Sequence, residues 1–254
     1  MKASQRRDAI VRMARNKGLA SVEELSRAFE VTPSTIRRDL ALLGQNGQLA
    51  RTYGGAIAVS TTHHEATLQE RSAEGHLAKE TIGRWAARQV EQGETVLLDA
   101  GTTTARVAAH LRALTPLTVV TSGLTPFMEL AGATGIERVL LGGSYREVSQ
   151  AFVGSLTEAA LERWTFDRVF LGADAVTADR GLCEASPAQT RLKELMARAG
   201  ARVYLLAHAD KIGATPFNAW VRLPGHWTLV TDAGVTDAQL DPFHRAGIPV
   251  VIAD

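Results

Sequence analysis

The sequence predicts an α/β protein in two parts, in which a small helical head with a β-ribbon precedes a larger body with a mostly parallel sheet. Over residues 1–58, apolar residues recur at helical spacing, and ten Lys and Arg accompany five Asp and Glu. From residue 79 onward, short apolar runs alternate with amphipathic stretches, and residues 59–254 hold 18 cations and 22 anions. Apolar runs that alternate with helices indicate a parallel sheet covered on both faces. A basic head on a mildly acidic body indicates a polyanion-binding module joined to a second function.

Composition excludes several classes of protein. The chain has 254 residues, of which 45% are apolar, and no apolar run approaches the roughly 18 residues that span a bilayer. The first ten residues lack the apolar block of a signal peptide. The single cysteine, Cys183, excludes an internal disulfide framework, and no partner base marks it as a nucleophile. We therefore expect a cytoplasmic protein without a membrane partner.

The head is predicted to contain three helices and a ribbon. The first helix covers residues 4–16 and the second residues 22–29, where Ser21 and Glu24 have the spacing of a capping box. The third helix covers residues 32–45. Segments 49–52 and 56–59 flank a glycine-containing turn and predict a two-stranded β-ribbon. Helix, turn, helix and ribbon in this order describe a winged helix-turn-helix.

The third helix starts with the sequence TPSTIRRDL. Thr32 is suited to cap this helix and Pro33 to occupy its first position, and apolar residues then recur along one face. The other face presents short hydroxyls and two arginines at the helix N-terminus, which suits contacts with phosphates and base edges. A solvated face with ordinary caps is the alternative. We predict DNA contacts from the residues Ser21, Thr32, Ser34, Thr35, Arg37, Arg38, Arg51 and Tyr53.

Residues 60–76 are polar and show no periodicity, so they are interpreted as a linker between a DNA-binding domain at 1–59 and a sensor domain at 77–254. The linker contains His63, His64 and Glu65. Adjacent residues do not converge on one ion as residues at i and i+4 of a helix do, so we predict no metal site.

The body is predicted to contain seven strands, at residues 96–99, 117–121, 138–141, 168–171, 203–206, 228–231 and 250–253. Amphipathic stretches at 106–111, 156–163 and 188–198 are predicted as helices between them. In such sheets ligands bind beyond the carboxyl ends of the strands, so the residues that follow each apolar run are the candidates for a binding site.

The first of these strand ends reads Asp99-Ala100-Gly101-Thr102-Thr103-Thr104. A glycine and three hydroxyls at a helix N-terminus offer N–H and O–H donors to a phosphate, although a glycine turn with threonine caps has the same sequence. Small, flexible or charged residues at the other ends suit a polar ligand under a closely approaching backbone. The further candidates are Thr121, Ser122, Gly142, Gly143, Gly172, Asp174 and Lys211, with Glu184 and Lys193 in or near the helix after the Gly172 strand.

The chain resembles the DeoR family of bacterial transcriptional regulators over nearly its whole length. The resemblance rests on Arg7 and the segments 34–40 and 51–56 in the head, and on 98–103, 120–122, 141–143, 172–174 and 211–213 in the body. It implies a Rossmann-like sensor domain, related to ribose-phosphate isomerases, that binds a phosphorylated sugar and so changes the affinity for DNA. By the same resemblance, Gly101 to Thr104 would hold the phosphate, and Asp99, Asp174, Lys193 and Lys211 would meet the sugar.

One segment departs from the pattern of that family. Many members have Ala-Asp-Ser-Ser-Lys where this chain has Ala207-His208-Ala209-Asp210-Lys211, so the carboxylate is displaced by two positions. The identity of the sugar phosphate therefore cannot be taken from any relative.

The leading interpretation is a repressor of a sugar-metabolism operon that responds to a sugar phosphate, with no cofactor and no catalytic residue. Asp174, Glu184 and Lys193 offer acid–base groups, so an isomerase-like enzyme that acts on phosphosugars is the alternative, although such an enzyme does not need a basic head. An adaptor that binds proteins through its winged helix is a third possibility. Because one winged helix covers only a short half-site on double-stranded operator DNA, we also predict a homo-oligomer, either a dimer or a tetramer.

Overall fold

The computed structural model describes residues 5–7, 9–11, 13, 19–45, 49–52, 55–58, 65–223 and 225–254. The chain divides into two compact units, residues 1–64 and residues 65–254. In the described parts of the chain, every helix is too short or too polar to cross a lipid bilayer.

The first unit has the helices and the ribbon that the sequence predicts. Residues 5–7, 9–11 and 13 are helical, and they are followed by β1 (Leu19–Ser21), α1 (Val22–Phe29), α2 (Pro33–Gln45), β2 (Leu49–Thr52) and β3 (Gly55–Ala58). The strand β3 pairs antiparallel with both β2 and β1, so the ribbon is part of a three-stranded sheet in the order β1-β3-β2. The sequence does not predict β1, because three residues are too few to show an alternating pattern.

Apolar side chains from the helical segments form the core of this unit. The most deeply buried are Ile10, Leu25, Ile36 and Leu40, each at most 2% exposed. Asp39 is also buried, and its Oδ2 lies 2.7 Å from Nε of Arg6. This ion pair joins α2 to the first helical segment, and the burial of Ile36 and Leu40 turns the opposite face of α2 to solvent.

The second unit alternates strands and helices. It starts with α3 (Leu68–Ala73) and α4 (His76–Ala87). The following elements are β4 (Thr95–Leu98), α5 (Thr102–Leu111), β5 (Leu117–Thr121), α6 (Leu124–Glu129), β6 (Ile136–Leu140), β7 (Ser144–Arg146), β8 (Ala151–Val153), α7 (Ser155–Leu161), β9 (Phe166–Gly172), β10 (Ala175–Thr177), β11 (Gly181–Glu184), α8 (Pro187–Arg198), β12 (Gly200–Leu206), a 3-10 turn (Ala209–Lys211), β13 (Ala219–Val221), β14 (Trp227–Asp232), α9 (Asp237–Arg245) and β15 (Val250–Ala253). All seven predicted strands and all three predicted helices of the body are present.

Seven parallel strands form the central sheet, in the order β15-β14-β12-β9-β4-β5-β6. Ile82 of α4 and Val107 of α5 belong to the core on one face, whereas Leu192 of α8 and Phe243 of α9 belong to the core on the other. The predicted α/β architecture with helices on both faces is therefore confirmed. From β4 the chain first adds β5 and β6 on one side and then returns to β9 on the other, so the topological switch point lies between β4 and β9.

Two smaller antiparallel sheets, which the sequence does not predict, accompany the central sheet. One is the hairpin of β7 and β8, and the other has the order β10-β11-β13. The hairpin of β10 and β11 directly follows β9, and the amide of Asp174 donates to the carbonyl of Cys183 at 3.0 Å. This hairpin brings Glu184, at the end of β11, back toward the carboxyl ends of the central strands.

Candidate functional site

The N-terminal turn of α2 forms an exposed polar face. The Thr32 hydroxyl accepts a hydrogen bond from the Thr35 amide at 3.3 Å and lies 2.8 Å from the Ser34 hydroxyl, so Thr32 caps the helix as predicted. Ser34, Arg37 and Arg38 are exposed. Hydroxyls and guanidinium groups at the positive end of a helix form a face that is suited to DNA.

The remaining residues predicted to contact DNA lie in other elements of the first unit. The Ser21 hydroxyl accepts from the Glu24 amide at 3.1 Å, and the Glu24 carboxylate accepts from the Ser21 amide at 3.0 Å, so the predicted capping box is confirmed. Ser21 thus has a structural task at the start of α1. Arg51 lies in β2, opposite Ala56 of β3. Tyr53 lies outside the described residues, as do His63 and His64.

The ends of β4 and β9 meet at the switch point of the sheet. Asp99, directly after β4, is 2% exposed, and its Oδ2 accepts from the Gly172 amide at 3.0 Å. A Cβ placed on Gly172 would lie 3.5 Å from that oxygen and 3.8 Å from the Ala100 carbonyl oxygen. Two predicted site residues from distant parts of the sequence are therefore in direct contact.

Lys193 joins this pair from α8. Its Nζ lies 2.8 Å from Oδ2 of Asp99 and 2.9 Å from the Gly172 carbonyl oxygen, and it also contacts Glu184. Burial alone would lower the pKa of Lys193, but Asp99 and Glu184 outweigh burial and raise it. Burial raises the pKa of Glu184 to about 7, against the opposing effect of Lys193. The ammonium group therefore stays charged and lies between two carboxyl groups.

The N-terminus of α5 follows the same strand end. Gly101 precedes the helix with φ of 149°, a conformation that strongly favours glycine. The Thr104 hydroxyl donates to the Gly101 carbonyl at 3.1 Å, and no side chain of the described residues caps the helix. Thr102 is partly exposed and Thr103 is 6% exposed. The amides of the first turn are thus available as the anion donors that the sequence predicts.

Two further lysines have no carboxylate ion-pair partner in the part of the chain that the structure describes. Lys211 Nζ donates to the carbonyl of Ala173, directly after β9, and Lys79 Nζ donates to the carbonyl of Arg71. Burial lowers the pKa of Lys211. Burial, together with the charge of Lys211, lowers the pKa of Lys79 to about 8. Asp174 and Glu184 raise the pKa of Lys211 and Glu74 raises that of Lys79, but each ammonium group is hydrogen-bonded to a backbone carbonyl rather than to a carboxylate.

Lys79 is a candidate that reasoning from sequence does not select. It is 3% exposed and lies on the buried face of α4 together with Ile82 and Ala86. A lysine at the first position of an i, i+3, i+7 apolar stripe is the signal that identifies such a buried cation.

His208 lies two residues after β12, in the segment that departs from the family pattern. It is 7% exposed, and a Cβ placed on Gly75 would lie 3.5 Å from its ring. Burial, Lys211 and Lys79 lower the pKa of His208 to about 4, so its imidazole is neutral near pH 7. Asp210, the displaced carboxylate, has a side chain that is 94% exposed, and its Oδ2 lies 3.8 Å from Nδ1 of His208.

Asp174 is contacted by a residue outside the predicted site. Its Oδ2 accepts from the Ala185 amide at 3.3 Å, and its Oδ1 lies 3.5 Å from Nη1 of Arg71. Nη2 of Arg71 also lies 2.5 Å from Oε1 of Glu65. Arg71 and Glu65 come from the stretch interpreted as a linker, where the absence of periodicity gives no sign of a contact with the sheet. We use the name strand-end site for Lys79, Asp99, Asp174, Glu184, Lys193, Lys211 and the N-terminus of α5.

Four predicted residues lie at or just after the ends of β5 and β6, on the other side of β4. Thr121 Oγ1 accepts from a backbone amide two residues later, at 3.0 Å, and the buried Ser122 hydroxyl has no hydrogen-bond partner among the described residues. The Gly142 carbonyl accepts from the Thr157 hydroxyl at 2.6 Å, and a Cβ on Gly143 would clash with the same hydroxyl. Among the described hydrogen bonds, none joins these four residues to the strand-end site.

Comparison with known proteins finds two family models along this chain. The model of the DeoR-like helix-turn-helix domain matches residues 6–62, and the model of the DeoR C-terminal sensor domain matches residues 74–233.

Several relatives are similar along almost the whole chain. The putative aga operon transcriptional repressor of Escherichia coli O157:H7 is 30% identical over 98% of this chain and 93% of its own length. The HTH-type transcriptional regulator GlpR of Haloferax volcanii is 32% identical over 99% of this chain and 98% of its own. The transcriptional repressor AccR of Agrobacterium fabrum is 31% identical over 90% of this chain and 89% of its own length. Among solved structures, ribose 5-phosphate isomerase A of Methanocaldococcus jannaschii is 18% identical, with a TM-score of 0.40 over 54% of this chain and 55% of that chain.

Proposed function

This chain belongs to the DeoR family of transcriptional regulators, and from that premise we propose that it represses a sugar-metabolism operon under the control of a phosphorylated sugar bound at the strand-end site. The first unit binds double-stranded operator DNA, and the second unit binds the effector. Both events take place in the cytoplasm, where the operator and phosphorylated sugars occur together.

The N-terminal turn of α2 is the part of the first unit that reads DNA. In a winged helix-turn-helix the second helix of the pair enters the major groove with its first residues against the bases. Arg37 and Arg38 are exposed at this position, and the ion pair of the buried Asp39 with the partly buried Arg6 joins this helix to the first helical segment. The arginines therefore extend from a fixed helix toward guanine edges or phosphates.

The observation that supports an anionic effector is that Lys79 and Lys211 form no ion pair with a carboxylate among the described residues. A buried ammonium group is costly unless an anion compensates it, and a phosphate group carries a charge of about −1.5 to −2 at pH 7. The uncapped amides at the N-terminus of α5 add donors of the kind that bind phosphates. Asp174 and the neutral imidazole of His208 provide acceptors for the hydroxyl groups of a sugar.

We propose that the site binds its ligand without converting it. Glu184 and Lys193 are the best-placed acid–base groups, yet they contact each other and are only 2% and 3% exposed. A general acid or base must come within hydrogen-bond reach of the group that it protonates or deprotonates. Enclosure of both groups in a mutual ion pair supports a sensor rather than an isomerase.

A homo-oligomer completes this proposal. One winged helix covers a short half-site, and specific affinity is reached when two or more such modules bind linked half-sites. The operator is accordingly expected to contain repeated or inverted half-sites, and light scattering of the chain with and without operator should give the mass of a dimer or a tetramer. A monomer in both states would contradict this part.

Calorimetry of the full chain against pentose and hexose phosphates and their unphosphorylated parents tests the effector proposal. We expect at least one phosphorylated sugar to bind and its parent to bind about tenfold more weakly or worse, because hydrogen bonds to a charged group contribute about 1.5–3 kcal/mol each. The bound sugar phosphate should also be recovered unchanged after prolonged incubation, as read by NMR. Equal affinity for the parents would overturn the phosphate site, and formation of an isomer would favour the enzyme.

A further inference from the structure

The first residues of the second unit are joined to the rest of that unit by polar contacts. We use the name strap for residues 65–73, which include α3. None of the six residues of α3 is buried. Thr67 and Glu70 form a capping box that stabilises the helix itself. A helix that buries no apolar side chain depends on charged and polar contacts to stay docked.

Glu65 forms two ion pairs, one with Arg71 inside the strap and one with Arg146 outside it. Its carboxylate is 7% exposed and lies between two guanidinium groups, with Arg71 at 2.5 Å and Nη1 of Arg146 at 2.7 Å. Burial alone would raise the pKa of Glu65, but Arg146 and Arg71 outweigh burial and lower it. Glu65 is therefore ionised at neutral pH, and it ties the start of the strap to the β7–β8 hairpin through Arg146.

Arg71 connects the strap to the strand-end site at two points. Its Nη1 lies 3.5 Å from Oδ1 of Asp174, and its carbonyl accepts from the ammonium group of Lys79. Its Nε donates to the carbonyl of Ala66 at 2.8 Å. A guanidinium group carries five N–H donors, so Arg71 retains donors for a ligand beside Asp174 while it holds Glu65.

We propose that Arg71 is a further effector-binding residue, and that the phosphate of a bound effector fixes the strap to the rest of the second unit. This inference rests on the function proposed above. The cationic groups of Arg71, Lys79 and Lys211 repel one another, and among the described residues the Arg71 guanidinium meets the site through its 3.5 Å contact with Asp174. A phosphate dianion removes this repulsion and accepts hydrogen bonds from the same groups. The strap is the segment that follows residue 64, the last residue of the first unit, so effector occupancy acts on the chain segment that leads to the DNA-binding unit.

Hydrogen exchange of the full chain, read by mass spectrometry, tests this inference with inorganic phosphate as the probe. Phosphate is raised until exchange no longer changes, and chloride at equal ionic strength is the reference. We expect exchange to slow about tenfold in residues 66–73 and also in 101–106, because a charge-assisted hydrogen bond contributes enough to suppress local opening to that extent.

The variant Arg71→Lys separates the strap from the anion site. Lysine keeps the charge but lacks the fork that holds Glu65 and a ligand at once. In this variant we expect phosphate still to slow hydrogen exchange in residues 101–106. Exchange in residues 66–73 should no longer change when phosphate is added. Arg88→Lys, at an exposed arginine of the same unit, is the matched control and should behave as the parent chain does.

The outcomes distinguish the two proposals. If phosphate slows exchange in 101–106 of the parent chain but leaves 66–73 unchanged, the strap inference is overturned and the anion site stands. The strap inference is also overturned if both segments of Arg71→Lys respond to phosphate. If neither segment of the parent chain responds, the phosphate site itself is wrong, and the inference that rests on it is overturned with it.

Discussion

Nζ of Lys193 lies 2.8 Å from Oδ2 of Asp99, and the two side chains are 4% and 3% exposed. The same ammonium group contacts Glu184 and the Gly172 carbonyl. One cation thus joins the end of β4, the end of β9, the end of β11 and helix α8. The sequence selects all these residues as candidates for the effector site, and the geometry adds that they hold the strand-end site together.

Lys193→Met is expected to lower the free energy of unfolding by about 3–5 kcal/mol, because it leaves buried carboxyl groups without their cation. Arg191→Met is the matched control on the same helix. Its side chain is 51% exposed and its ion pairs are long, at 3.6 and 3.8 Å, so a loss of at most ~1 kcal/mol is expected. Urea denaturation of both variants measures the difference. Equal losses would show that the buried cluster contributes no more than a surface pair.

Arg38→Ala is expected to weaken operator binding by about 1–3 kcal/mol, whether the side chain reads a guanine edge or a phosphate. Fluorescence anisotropy at several salt concentrations distinguishes the two, because loss of a phosphate contact lowers the salt slope by about one. Arg27→Ala, at an exposed arginine of α1, is the control and should leave affinity nearly unchanged. The assignment of α2 fails if both Arg37→Ala and Arg38→Ala bind the operator as the parent chain does.

Thr103→Ala is expected to weaken effector binding about tenfold and to leave effector-free DNA binding intact, because its hydroxyl lies at the uncapped N-terminus of α5. Thr134→Ala, at an exposed threonine before β6, is the matched control. Calorimetry with the best-binding sugar phosphate of the panel measures the change. Equal affinities for the two variants would place the phosphate elsewhere.

The sequence predicts the elements of the central sheet because their signal is local. Each of the seven strands is a short apolar run, amphipathic stretches lie between most of the runs, and the residues after the runs are small, flexible or charged. The switch point between β4 and β9 then follows from strand order, which sequence periodicity does not contain. The contact of Asp99 with Gly172, 73 positions apart, becomes visible only when that order is known.

The residues missed by sequence reasoning act through pairing rather than through pattern. Arg71 and Glu65 lie in a polar stretch without periodicity, and their importance comes from Asp174 and Arg146, which are remote along the chain. The short strands of the two small sheets are missed for a related reason, since three or four residues carry little periodic signal. Lys79 is different, because its position on the apolar stripe of α4 is readable from the sequence.

His208 is expected to make stability depend on pH. Its pKa is about 4 in the folded chain, whereas an unperturbed histidine titrates near 6.5, so between these values the unfolded chain binds the extra proton. Stability due to this group is therefore present above pH ~6.5 and is lost as the pH falls toward ~4. The parent chain should lose about 2 kcal/mol between pH 7 and pH 5 that His208→Gln does not lose.

Urea denaturation of both proteins at pH 7 and pH 5 checks the His208 prediction, because acid losses from other groups are common to both and cancel. Lys211, Lys79, Asp210 and Asp232 are the charged groups that act on this imidazole. The two lysines disfavour its protonation and the two aspartates favour it. Parallel stability curves for the parent chain and His208→Gln would mean that His208 titrates normally.

Effector affinity is expected to fall above pH 8 because Lys79 loses its proton there. Its pKa is about 8, and only the ammonium form attracts a phosphate. Affinity should therefore be nearly constant between pH ~6, where the phosphate becomes a dianion, and pH 8, and then fall up to tenfold per pH unit.

At pH 8 binding should take up about half a proton, which calorimetry in two buffers of different ionisation enthalpy measures directly. The variant Lys79→Met should bind the effector more weakly at pH 7 and take up fewer protons on binding at pH 8. Any fall in affinity above pH 8 that remains in this variant belongs to Lys211, whose pKa is also lowered. An affinity of the parent chain that stays unchanged from pH 7 to pH 9 would remove Lys79 from the site.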